Sequence, residues 1–204
     1  EKWISQDGTA GTYIINFSEN PDALDILKKS LYSPAFILKK NPTVCIIGVG
    51  GGNDVWAAKI NGAQYIKGIE LNKSILDIHH KILPHFSTGI TRDASIDLIL
   101  DEGRSALMRD TTQYDVIQMS GTDTWSALMS GAYVLAENYL YTAEAIRAMY
   151  RKLTAGGIIA ITRFSHDMET IRLFSNIYAA LGDPAGRDLE RSSVCLGHGL
   201  LRTV

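Results

Sequence analysis

Four glycines, Gly48, Gly50, Gly51 and Gly52, fall within five positions directly after the apolar run Val44-Cys45-Ile46-Ile47, and a helical pattern opens at Val55. This order predicts a buried parallel strand, a tight turn and a helix N-terminus. Such a turn offers bare backbone to a ligand, and the first N–H groups of the following helix lack partners of their own. About 20 residues further on, Glu70 closes the next apolar segment, where a carboxylate can take both hydroxyls of a ribose. Glycine turn and acid together point to a ligand containing a nucleoside. Gly48, Gly50, Gly52, Asp54, Glu70 and Leu71 are the candidate binding residues.

A second acidic pair, Asp101-Glu102, stands before Gly103 at the end of another apolar run. Glu102 could accept the exocyclic amine of adenine while the Gly103 N–H meets a ring nitrogen. The same residues suit a helix N-cap, where a carboxylate complements the helix dipole. Both readings stand at this point. The long connection from Ser120 to Tyr141 carries Asp123, Trp125, Tyr133, Tyr139 and Tyr141, and its length predicts a lid or binding loop with a short helix near 126–135. Trp125, Tyr139 and Tyr141 are candidates to line that lid, with Trp125, Tyr133 and Tyr139 alternatively read as core anchors. Ser120 closes the preceding apolar run, and Asp123 suits a helix cap.

The elements that must position these residues follow from the pattern. Strands are predicted at 43–48, 65–69, 96–100, 114–119 and 157–163, with helices near 54–61, 72–82, 103–109, 142–153 and 167–181. This alternation predicts an α/β, Rossmann-like, mostly parallel sheet with helices on both faces. Leu189–Leu196 and Leu200–Val204, around Gly197-His198-Gly199, predict a C-terminal antiparallel hairpin, giving seven strands in all. Residues 1–42 read as a small N-terminal extension, with an extended lead-in, a strand at 12–17 and two short helices; residues 43–204 form the main domain. Glu at position 1 and a strand-like end suggest a piece of a longer protein.

With 204 residues and a net charge of −2, the chain offers no basic face for nucleic acid and no apolar run long enough to span a membrane. Cys45 and Cys195 sit in strand-like apolar runs and read as core residues. The five histidines, His79, His80, His85, His166 and His198, show no metal-ligand spacing, so no metal is expected and these side chains read as surface or packing residues.

Taken together, the motifs resemble the spermidine synthase (polyamine aminopropyltransferase) family, and more narrowly spermidine-synthase-like domains of larger bacterial proteins, often fused to membrane segments. The matching stretches are Ile46–Asp54, Gly68-Ile69-Glu70-Leu71-Asn72, Asp101–Ser105, Tyr114–Gln118, Thr122–Trp125, Glu137–Thr142 and Leu153–Gly157. The terminal hairpin likewise suits S-adenosylmethionine-dependent transferases better than nicotinamide dehydrogenases. The resemblance implies S-adenosylmethionine or its decarboxylated form as co-substrate, with Gly48, Gly50 and Gly52 flanking the sulfonium tail, Glu70 on the ribose, and Glu102 and Gly103 on adenine. It implies a transferase passing an alkyl (aminopropyl) group to a small acceptor, an amine foremost. The family's Asp-x-x-Asp segment falls on Ser120-Gly121-Thr122-Asp123: the amine-binding Asp is retained as Asp123, but Ser120 replaces the proton-accepting Asp. A serine hydroxyl is a poor base for an amine that arrives protonated.

Two further readings share the scaffold: an S-adenosylmethionine-dependent methyltransferase, with Arg104 as a candidate for the donor carboxylate, and a non-catalytic nucleoside-binding domain of a larger membrane protein. A nicotinamide site fits less well, because Asn53 replaces the third glycine of Gly-x-Gly-x-x-Gly. The expected partners are a small-molecule acceptor and a second copy of the chain in a homodimer, with no nucleic acid and no membrane contact by this stretch. A soluble, cytoplasmic domain is expected, with a membrane-anchored parent left open.

Overall fold

The computed structural model describes residues 1–6, 10–17, 19, 22–122, 139–164, 167–182, 196–198 and 201–203. Its centre is β3 (Thr43–Ile47), the strand of the apolar run. Around it lies a seven-stranded sheet built from β4 (Tyr65–Glu70), β5 (Ile96–Leu100), β6 (Tyr114–Ser120), β7 (Leu153–Phe164), β8 (Leu196–His198) and β9 (Leu201–Thr203), in the order β5-β4-β3-β6-β7-β9-β8. The first five strands in that order are parallel, and β9 and β8 add an antiparallel hairpin at the β7 edge. The fold is therefore the expected one.

Alternation along the central strand fixes what packs where. Val44 and Ile46 face a core made with Phe17, Leu27, Phe36 and Trp56, which come from the N-terminal extension, α1 (Asp22–Lys28), α2 (Pro34–Ile37) and α3 (Asn53–Ile60). Cys45 and Ile47 face the opposite core, made with Leu107, Ile146, Met149 and Leu173 of α6 (Gly103–Arg109), α7 (Ala143–Arg151) and α8 (Asp167–Leu181). Both faces of β3 are buried, which is why its sequence is continuously apolar. Chain order runs outward from β3 to β4 and β5 on one side, then returns to β6 and β7 on the other. The reversal opens a crevice beyond the C-terminal ends of β3 and β6, the place where open α/β sheets bind ligands.

Local differences from expectation have identifiable causes. The lead-in forms a strand, β1 (Lys2–Gln6), paired antiparallel with β2 (Ala10–Ile14), which starts and ends earlier than the predicted 12–17. The predicted helix over 72–82 divides into α4 (Lys73–Asp77) and a π-helical turn, Ile78–Ile82, and a short α5 (Thr88–Thr91) follows. β7 begins four residues before the predicted start because its register with β6 shifts between Tyr114 and Val116, a bulge that absorbs the glycine pair Gly156-Gly157. Within the hairpin, Gly197 and His198 belong to β8 rather than to the turn. Among the described residues no helix is long and apolar enough to cross a membrane.

Candidate active site

A cleft of about 280 Å3 opens at the crevice. The glycine turn forms one wall. Gly48 and Gly52 take φ of +86° and +85°, values that L side chains rarely adopt. A Cβ at Gly48 would stand 2.7 Å from Thr122 Cγ2, so the two strand ends can close together only over bare backbone.

Glu70, at the end of β4, ties this turn to the neighbouring strand. Its Oε2 accepts the Gly50 N–H at 3.0 Å and its Oε1 accepts the Asn72 N–H at 2.8 Å. Behind the turn, fully buried His79 places Nε2 2.7 Å from the Gly50 carbonyl oxygen and Nδ1 2.6 Å from Ser87 Oγ. The carbonyl can only accept, so Nε2 carries the proton and Nδ1 accepts from the Ser87 hydroxyl. Burial pushes the imidazole below its ordinary range, keeping it neutral. Gly50 is thus held on both sides of its residue, by a carboxylate at its N–H and an imidazole at its C=O.

Opposite stands the start of α6. Glu102 is its N-cap: Oε1 accepts the Arg104 N–H at 2.9 Å and Oε2 the Ser105 N–H at 2.8 Å. Burial acts to raise this carboxyl, and the hydrogen bonds from Ser105 and Arg104 outweigh it, leaving it below the ordinary range. Asp101 Oδ1 accepts the Glu102 N–H at 2.8 Å, and its other oxygen pairs with Arg109. Gly103 allows α6 to press on β3, since a Cβ there would lie 2.5 Å from Ile47 Cγ2.

The floor is a buried polar cluster. Parallel pairing of β3 with β6, Ile47 beside Met119, sets Ser120 at the glycine turn and next to Asp54 on the first turn of α3. Ser120 Oγ donates to Asp54 Oδ1 at 2.7 Å, and Gln118 Nε2 donates to the same oxygen and to the Tyr32 carbonyl. Burial pushes Asp54 up to about 6 against the opposing effect of these hydrogen bonds. On the hairpin side Asn53 Nδ2 reaches the Tyr13 carbonyl at 3.4 Å, while the buried Asn53 Oδ1 has no partner.

Gly48, Gly50, Asp54, Glu70, Leu71, Glu102, Gly103 and Ser120 therefore meet around one cleft. Gly52 stands behind it as the N-cap residue of α3, its N–H spent on the Val49 carbonyl. Tyr139 lies outside, 47% exposed, with the Arg104 guanidinium 4.4 Å from its ring. Tyr141 is buried and reaches the cleft indirectly, its hydroxyl 2.7 Å from Thr122 Oγ1. Asp123, Trp125, the predicted helix at 126–135, His166 and Cys195 lie outside the described residues. His79 was not among the candidate residues, and its role has no signature in spacing; a buried histidine behind a glycine turn is visible only in three dimensions. Asp54, Glu70, Asp101 and Glu102 line the cleft, and no lysine or arginine does so among the described residues. Lys28 and Lys29 are exposed and do not line it. No group of three or more His, Cys, Asp or Glu among the described residues could hold a metal ion.

Comparison with known proteins bears on this geometry. The polyamine aminopropyltransferase of Korarchaeum cryptofilum is 27% identical over 158 residues, covering 76% of this chain and 46% of that protein. A spermidine synthase crystallised in complex with the transition-state analogue AdoDATO superposes with a TM-score of 0.58 at 19% identity, over 78% of this chain and 51% of that one. Human methyltransferase-like protein 13 in complex with SAH gives a TM-score of 0.57 at 13% identity, over 89% of this chain and 78% of that one. The two structural likenesses establish the fold. The chain spans about half the length of the aminopropyltransferase and of the spermidine synthase. The spermine/spermidine synthase domain family matches residues 30–191, from the segment before α2 to beyond α8, and the chain belongs to that family.

Proposed function

We propose that this chain is a transferase domain that binds an adenosyl sulfonium, preferring decarboxylated S-adenosylmethionine, and passes its aminopropyl group to a small amine. The observation that carries this reading is the charge of the cleft: four carboxylate residues and no cation among the described lining residues. A sulfonium with an ammonium tail suits such a wall. The carboxylate of ordinary S-adenosylmethionine would need a cation or free N–H groups, yet the Gly50 N–H is taken by Glu70 and Arg104 is turned to Tyr139. Aminopropyl transfer by family relatives, and the complex of one with AdoDATO, support the same choice.

In this reading Glu70 holds the ribose, and Glu102 with the Gly103 N–H meets adenine. The glycine turn flanks the alkyl tail, while Asp123 binds the acceptor amine. Holding nucleophile and carbon about 3 Å apart and in line supplies most of the acceleration, since a sulfonium is already a good leaving group. Titration calorimetry with S-adenosylmethionine, its decarboxylated form, methylthioadenosine and NAD tests the ligand. Mass spectrometry of mixtures with a panel of amines tests the transfer. Preference for decarboxylated S-adenosylmethionine with an aminopropylated product is expected. Methyl transfer from S-adenosylmethionine would replace this reading with a methyltransferase, and tight binding without any product would reduce it to a nucleoside-binding domain.

A further inference from the structure

We propose that Asp54 supplies the proton-accepting carboxylate that position 120 lacks, and that the Ser120 hydroxyl relays the acceptor's proton to it. This inference rests on the transferase reading above. The usual family arrangement would put the carboxylate on the strand end, at residue 120. Here the strand end carries only a hydroxyl, and that hydroxyl donates to a carboxylate on the first turn of α3, 2.7 Å away. Both residues line the cleft, but Ser120 is half-buried there while Asp54 is only 5% exposed, so the hydroxyl is the more open of the two. A proton from a bound ammonium can therefore reach Asp54 through one hydroxyl.

The step balances. One N–H bond of the acceptor ammonium breaks and its electron pair stays on nitrogen; the proton goes to Ser120 Oγ as the serine's own proton passes to Asp54 Oδ1. The nitrogen pair then forms the N–C bond while the C–S bond of the sulfonium breaks, its electrons remaining on sulfur as a neutral thioether. Asp54 returns the proton to solvent along the same path after product leaves.

The surroundings suit a group that must both take and release a proton near neutrality. Burial holds Asp54 at about 6, close to the range in which a general base works best. Gln118 Nε2 fixes its orientation by bridging to the Tyr32 carbonyl. The titratable side chains around it among the described residues are Tyr32, whose phenol is raised by burial and then by Asp54, with Glu70, Asp101 and Glu102 across the cleft and His79 behind the glycine turn. Neither residue that β6 presents to Asp54, Gln118 or Ser120, is ionisable.

The test is the pH dependence of aminopropyl transfer, with methylthioadenosine binding followed in parallel. Wild-type kcat/KM should rise with pH along a limb near 6. Asp54→Asn should lower kcat by about 100-fold or more and abolish that limb. Ser120→Ala cuts the path to Asp54, so it should lower kcat about as far as Asp54→Asn and flatten the limb, and Ser120→Asp should move the limb upward, because two adjacent carboxyls cannot both ionise freely. Asp123→Asn should raise KM for the amine and leave the limb in place. A limb that survives in Asp54→Asn, or that Ser120→Asp fails to move, overturns the proposal even if transfer itself is intact. Methylthioadenosine bound with no transfer to any amine overturns the relay and leaves nucleoside recognition standing; no methylthioadenosine binding overturns both.

Discussion

Glu70 Oε2 and the Gly50 N–H form a 3.0 Å hydrogen bond that joins the end of β4 to the glycine turn after β3. The other oxygen, Oε1, accepts the Asn72 N–H. An ionised carboxylate has about four acceptor positions, so two remain for a pair of ribose hydroxyls. Glu70 would then grip the nucleoside and shape the turn in one act. Glu70→Ala should cut affinity for methylthioadenosine by about tenfold or more, as expected on losing charge-assisted hydrogen bonds. Glu70→Gln should fall between, since its one remaining oxygen cannot serve both backbone N–H groups. Titration calorimetry measures both, and unchanged affinity in Glu70→Ala would take Glu70 out of the site.

His79 acts on the same turn from behind. Its Nε2–H holds the Gly50 carbonyl and its Nδ1 accepts from Ser87, so Ala at position 79 would leave two buried groups unpaired and a void. His79→Ala should destabilise the fold by about 2–4 kcal/mol and weaken nucleoside binding several-fold without any contact to the ligand. The pH sense follows from the depressed imidazole. Its contribution is complete above the unfolded value of about 6.5 and is lost as pH falls through the lower folded value. Urea melts of the two proteins from pH 5 to 8 should therefore converge at the acid end.

Much of this was legible from local chemistry. The β-branched run and the glycines specify strand, turn and helix start without help from the rest of the chain, and the bounds of β3, β5, α6 and α8 agree with expectation within about one residue. Glu102 capping α6 is likewise a short-range rule. Other features depend on pairing that sequence does not display. β1 has Trp3 and Ser5 exposed, so no buried face marks it as a strand before β2 is beside it. The π-helical turn at Ile78–Ile82 leaves the apolar spacing of a helix nearly unchanged, yet it sits where His79 reaches the glycine turn. The Asp54–Ser120 contact spans 66 residues and exists only because β3 and β6 pair in parallel in one register.

The N-terminal hairpin lies against the glycine turn closely enough to test. A Cβ on Gly51 would stand 2.0 Å from the Tyr13 carbonyl oxygen, a backbone atom that cannot rotate away, and 2.8 Å from Thr12 Oγ1. Gly51→Ala should therefore push β2 off the turn rather than distort the turn alone, at about 1–3 kcal/mol. Hydrogen exchange of the β1–β2 amides should speed up by about tenfold or more, while the β3–β6 amides keep their protection. Equal loss in both sheets would mean that the hairpin is not the element that yields.

Asp54 makes a stability prediction whose sign is opposite to that of an ordinary ion-paired carboxylate. Its folded value, about 6, lies above the unfolded value near 3.8, so between these values the folded state binds more protons than the unfolded chain. Stability contributed by this group is therefore greatest below pH 4, declines as pH rises to about 6, and levels off above it. The group should cost about 3 kcal/mol at pH 7 relative to its neutral form. Asp93 and Asp110 are held well below the usual range and change stability only at more acid pH, and His79 acts in the opposite direction at its own pH. Comparing wild type with Asp54→Asn cancels all three. The amide keeps an oxygen to accept from Ser120 and Gln118, so the variant should gain on the wild type as pH rises from 4 to 7, and then run parallel to it. Denaturant melts at half-unit pH steps measure the difference, and a pH-independent gap would mean that Asp54 does not titrate within the folded protein over that range.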